Sequence, residues 1–248
     1  MKFPFLPRAP IVEALIDLRV EAPQGAEVRR LGDLGERIAA RYPAREERKG
    51  RRVQVDLGPD RASLVREDEP ALHGYAFRSG DGRQVVQVSS EGFTVNRLKP
   101  YLGWDPLREE ARVLWEEYRR IVSPVRVVRL AVRTINRIEL PLPVGEMRQF
   151  FRTFPEIAPG LPQGMLEFLL RVVVQDPALR AHAIVTQGLE PLAPEATRAP
   201  VILDVDVFRE CGCPPESPEV WSLLEGLREL KNRVFFESLT ERTVDLFR

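Results

Sequence analysis

Asp204 and Asp206 stand two apart within Leu203-Asp204-Val205-Asp206-Val207. In a strand, residues two apart share a face, so both carboxylates point one way while the aliphatic residues point the other. Two adjacent carboxylates can hold a divalent cation or share a proton. They can equally accept arginines from a neighbouring strand. Arg129, Arg133 and Arg137 recur every four residues in another apolar run, which gives them one common face unless a bulge shifts the register. Facing the aspartates, they form an ion-pair ladder, the favoured reading. Facing a groove, they form a phosphate site, because guanidinium matches phosphate through two parallel hydrogen bonds. Asn136 must point to the opposite face, where a buried amide needs hydrogen-bond partners.

A second candidate cluster is Asn96, Arg97 and Tyr101, with Lys99 and Trp104 nearby. Basic and aromatic residues mixed in this way stack on bases or on protein partners. The rival reading is an aromatic plug that anchors a helix starting at Asp105. Other chemistries find little support. His73 and His182, the two histidines, carry no metal or hydrolase motif around them, and no phosphate-binding glycine loop occurs. Cys211 and Cys213 flank one glycine in an expected turn, too few for a disulfide framework and unsupported as a zinc or redox site.

Strands and helices along the chain must position these residues. Residues 11–20 alternate with period 2, which predicts a strand with one buried face. Residues 27–42 carry Val28, Leu31, Leu34, Ile38 and Ala39 at helical spacing. Strands are expected at 52–57, 62–66, 74–78, 83–89 and 93–98, with Ser79-Gly80-Asp81-Gly82 as a tight turn. A helix follows over 105–121, with Asp105 as its cap and Pro106 in its first turn. The second half repeats the order: a long strand at 125–140, a short helix at 144–154, strands at 165–175, 181–187 and 201–209, and a long helix at 218–238. Residues 155–164 and 189–200 read as irregular loops.

The expected fold is therefore α+β. Two β-α-β(n)-α units, 1–123 and 124–248, form a curved antiparallel sheet packed on long helices, in the manner of the TATA-binding-protein and helix-grip shapes. Residue identity between the halves is negligible, and the likeness of shape carries no function. Phe235 and Phe236 are consecutive, so one narrow helix stripe cannot bury both. Either this helix is sandwiched between layers or Phe236 meets a partner, which makes it a candidate homodimer contact.

The chain has 248 residues, 44% hydrophobic, which is enough for a substantial core. Thirty-seven basic residues balance 37 acidic ones, so no global field recruits nucleic acid or anionic membrane. No stretch reaches the ~18–20 apolar residues of a membrane helix, and the proline-broken start does not read as a signal peptide. A cytoplasmic location and no cofactor are expected.

Several phrases, in order, resemble a sporadically distributed family of bacterial and archaeal proteins of about this length. They are Pro10-Ile11-Val12-Glu13-Ala14, Asn96-Arg97-Leu98 with Pro100-Tyr101 and Trp104, Asn136-Arg137-Ile138, the run from Val201 to Phe208, and Lys231-Asn232 with Phe235-Phe236 and Ser238-Leu239-Thr240. The resemblance spans nearly the whole chain. It implies no activity and no catalytic residue. The patchy distribution implies mobile or defence-related gene neighbourhoods.

Three functions stay open on sequence. The leading one is a non-enzymatic binding module for a protein or a small anionic ligand. The second is nucleic-acid or nucleotide binding through the arginine-rich face. The third is a metal-dependent phosphoesterase using Asp204 and Asp206.

Overall fold

The computed structural model describes residues 3–50, 71–142, 146–191 and 195–248, and the backbone alone of 53–57 and 62–67. The fold is α+β. Its first half contains β1 (Ile11–Glu21), a 3₁₀ turn (Val28–Leu31) and α1 (Gly32–Ile38). Six strands follow: β2 (Ala44–Gly50), β3 (Val53–Leu57), β4 (Ala62–Glu67), β5 (Ala71–Arg78), β6 (Gln84–Ser89) and β7 (Gly92–Leu98). Helix α2 (Trp104–Val122) closes this half. The second half runs β8 (Arg126–Pro141), a 3₁₀ turn (Met147–Gln149), β9 (Phe168–Asp176), β10 (Ala181–Leu189) and β11 (Arg198–Cys213). Helices α3 (Glu219–Ser238) and α4 (Glu241–Asp245) end it.

Nine strands form one antiparallel sheet in the order β2-β5-β6-β7-β1-β8-β11-β10-β9, while β3 and β4 pair separately. Strand β1 lies beside β8, so the halves meet through backbone hydrogen bonds at the middle of the sheet. Alternation decides which face is buried. Ile16 and Leu18 of β1, Leu130 and Val132 of β8, and Leu203 and Val205 of β11 are all buried on the helix side. Helix α2 supplies Leu107, Ala111, Leu114, Trp115 and Tyr118 to this core, the stripe its periodicity predicts. Trp115 is fully buried, and its indole N–H donates to the Pro215 carbonyl at 3.1 Å. Among the described residues, no helix is long and apolar enough to cross a membrane.

Several local expectations fail for identifiable reasons. The helix expected over 27–42 shrinks to a 3₁₀ turn plus seven residues. Gly35 explains part of this, because a Cβ there would come within 2.8 Å of the Phe77 ring. The glycine permits close approach to the sheet at the cost of helix propensity. Strand β2 was not expected, since its sequence, Ala-Arg-Glu-Glu-Arg-Lys-Gly, is exposed along its whole length. It is a sheet edge, where charges discourage further pairing.

Asp105 is not the cap of α2. That position belongs to Gly103 at φ 114°, a conformation that favours glycine, and Asp105 sits inside the first turn. Of the helix expected over 144–154, whose residues 144–145 lie outside the described residues, only the turn Met147–Gln149 forms. Phe150 and Phe151 are both buried, and Phe151 pairs with Leu239 in an isolated β-bridge instead of continuing a helix. Cys211 and Cys213 end β11 and do not lie in a turn. Phe236 does not need a second copy, because it stacks on Phe3 of the same chain with ring centroids 5.3 Å apart.

Candidate functional site

Strand β8 is the spine of the uncovered sheet face. Its register against β11 runs unbroken from Arg198 to Glu210, and its shifts against β1 fall only near the two ends of that pairing. No bulge therefore separates Arg129, Arg133 and Arg137, and all three share the face opposite the helices. Asp204 and Asp206 join them from β11, and Asp17 joins from β1.

Each arginine is committed to a carboxylate. Arg133 donates to Asp204 twice, Nε to Oδ1 at 2.8 Å and Nη2 to Oδ2 at 2.5 Å. This pairing holds the Arg133 guanidinium above its ordinary pKa, and burial opposes it only in part. Arg129 donates to Asp17 at 3.1 Å and, more weakly, to Asp206 at 3.5 Å. Arg137 donates to Glu190 at 2.9 Å and pairs with Glu139. Burial raises the Asp206 carboxyl above the ordinary aspartate range, and the two neighbouring arginines offset this only in part. These guanidinium–carboxylate pairs form a ladder across β1, β8 and β11.

Three participants carried no signal that singled them out. Asp17 is 6% exposed and accepts from Arg19 and Arg129 and from the Thr94 hydroxyl at 2.6 Å. Its place on the polar face of β1 was legible, but its partners depended on register. Phe208 lies under the Arg129 guanidinium at 4.4 Å. His182 stacks on Phe208 at 5.3 Å. Together they form a short cation–aromatic column beside the ladder.

Of the second candidate cluster, Asn96 alone shares the ladder's face, opposite Leu15 in the register, and it joins none of the ion pairs. Asn96 is buried and its amide donates to the Val85 carbonyl at 3.1 Å. Arg97 turns back to the Pro100 carbonyl at 3.2 Å. Tyr101 is packed against the core, and burial pushes its phenol up to about 12. Trp104 donates its indole N–H to Glu225 at 2.6 Å, and Arg108 grips the same carboxylate at 2.5 Å. Trp104 and Arg108 thereby anchor α2 to α3. Asn136 lies on the helix side as expected, buried, with its amide donating to the Leu203 carbonyl at 2.8 Å.

Among the described residues, no three His, Cys, Asp or Glu side chains group so as to hold a metal ion. Two surface clefts, of about 190 and 360 Å³, lie by the helices and do not include the ladder. Among the described residues, the face opposite the helices carries its charges as paired groups on three adjacent strands. It can present alternating positive and negative groups in fixed positions. No protein-family model matches the chain, and neither does any curated protein.

Proposed function

We propose that this protein is a non-enzymatic interaction module that docks a protein partner on the uncovered sheet face. The commitment of Arg129, Arg133 and Arg137 to carboxylates carries this reading. A patterned, charge-balanced surface discriminates partners through electrostatic complementarity. It offers no basic stripe for a phosphate backbone to follow, which argues against nucleic acid. Both candidate metal ligands already accept guanidiniums, which argues against a phosphoesterase.

We also read the halves as one architecture used twice. In each, the last strand of the meander returns beside the first strand of that half, β7 beside β1 and β11 beside β8. A long helix then closes each half. The family resemblance belongs to this reading, and its patchy distribution makes defence- or mobile-element gene neighbourhoods the first place to seek the partner.

The test exchanges Arg133→Asp with Asp204→Arg, which keeps the pair and inverts its polarity. Affinity capture from the native host is compared between the wild type and the exchanged variant. The proposal expects a specific partner to be lost at an unchanged melting temperature. An identical captured set overturns it. Salt-sensitive binding to DNA, RNA or nucleotides overturns it in favour of nucleic-acid recognition.

A further inference from the structure

The two edges of the sheet are opposite in character. Strand β2 is charged and exposed throughout, which blocks further pairing. Strand β9 reads Phe-Leu-Leu-Arg-Val-Val-Val-Gln-Asp and, among the described residues, pairs only with β10. Its backbone donors and acceptors on the outer side have no partner strand among the described residues. The apolar side chains there are strongly exposed: Leu169 is 80% exposed, Val173 49%, Val174 46%, and Leu166, just ahead of the strand, 84%. An apolar open edge of this length invites another strand.

The sequence around the edge says which strand fits. Residues 165–173 read Met-Leu-Glu-Phe-Leu-Leu-Arg-Val-Val. About Leu169 the pattern is palindromic in character, apolar against apolar and acid against base. An antiparallel copy related by a two-fold axis through Leu169 sets Leu169 against itself and Leu166 against Val172. It also sets Glu167 against Arg171 on both sides of the axis. Directly opposed opposite charges stabilise an antiparallel pair. Glu167 and Arg171 are both exposed, and neither takes part in an ion pair among the described residues. Within one strand they are four apart, roughly 13 Å, too far to meet each other.

We propose that the first six residues of β9 and the three before it form a homodimer interface, by antiparallel pairing of residues 165–173 with the same residues of a second copy. The axis stands perpendicular to the sheet, so odd-numbered residues keep to the uncovered face in both copies. Two nine-stranded sheets join into one, and both uncovered faces look the same way. A protein partner with two docking sites would then gain avidity without new contacts.

Sedimentation velocity of the full chain, from low to high concentration, tests this. The expected species at high concentration has twice the monomer mass of 28.3 kDa. Leu169→Lys, which opposes two like charges on the axis, gives a monomer with an unchanged circular-dichroism melt. Glu167→Arg alone and Arg171→Glu alone each weaken association at least tenfold, and the double exchange restores it. A wild type that stays monomeric at every concentration overturns the proposal. So does a dimer that survives Leu169→Lys, or a double exchange no better than the single variants. Capture of an unrelated extended peptide by a monomeric chain assigns the edge to a different occupant and also overturns it.

Discussion

Arg133 grips Asp204 through two parallel hydrogen bonds, although the residue directly opposite it in the ladder is Asp206. The guanidinium leans along the sheet to a diagonal partner. This leaves Asp206, facing Arg129 across 3.5 Å, as the weakly held member of the lattice. The two aspartates, indistinguishable as letters, should therefore respond differently to the same substitution.

Asp204→Asn breaks the two-bond grip and is expected to lower unfolding free energy by about 1 kcal/mol, because the pair is partly solvated. Urea denaturation of the single variants and the double variant with Arg133→Met gives the coupling. A coupling of zero would show that the pair only decorates the surface.

Asp206→Asn is expected to do the reverse at neutral pH. Burial raises this carboxyl in the folded state, so the folded chain holds its proton more tightly than the unfolded chain does. Its ionisation then costs stability above the folded pKa, and the cost disappears as pH falls below the ordinary value of 3.8. Thermal melts should show the variant equal to or above wild type at pH 7, with the difference gone near the acid end. A large loss at pH 7 would mean that Arg129 depends on this carboxylate despite holding Asp17.

Lys231 is the clearest electrostatic cost in the structure. It lies on the core-facing stripe of α3, and its ammonium donates to Asn232 Oδ1 at 2.6 Å. Burial pushes its pKa down to about 8, with a smaller contribution from Arg228. Because the folded value is depressed, stability should rise with pH between about 8 and the ordinary 10.5. Lys231→Met is expected to stabilise the fold at pH 7 by about 1–3 kcal/mol. That gain should shrink across the same pH window in chemical denaturation. A variant less stable than wild type at pH 7 would assign the ammonium a partner worth more than its burial cost.

Cys213 is buried, and desolvation pushes its thiol up to about 11. The thiolate is the nucleophile, so this residue should resist alkylation at pH 8 in the native state and react fully in denaturant. Mass spectrometry of each state checks it. Native labelling at Cys213 would show that the end of β11 opens readily.

The uncovered face was legible because period 2 is unambiguous over long apolar strands. The alternation of 11–20 and the four-residue spacing of Arg129, Arg133 and Arg137 both survive folding. What did not show in the letters depended on contacts between distant segments. Strand β2 has the composition of a solvated loop and is a strand only because β5 offers it an edge. Asp17, Phe208 and His182 join the ladder through register, which no local pattern encodes. The segment holding Asn96, Arg97 and Tyr101 looked like a surface because it is polar and aromatic. Asn96 and Arg97 instead turn their side chains to backbone carbonyls, and Tyr101 packs against the core.

The junction of β1 with β8 has one more consequence. A chain severed between Ser123 and Pro124 would yield two pieces, each presenting as an open edge a strand that belongs in the centre of the sheet. Each piece would lack the neighbour that its longest strand requires. The indole of Trp115 and the carboxylate of Glu225 would lose partners on the other piece. Folding would become a bimolecular reaction, with strength set by the concentration of the pieces. The protein is thus a natural candidate for a split reporter whose signal appears only on reassembly.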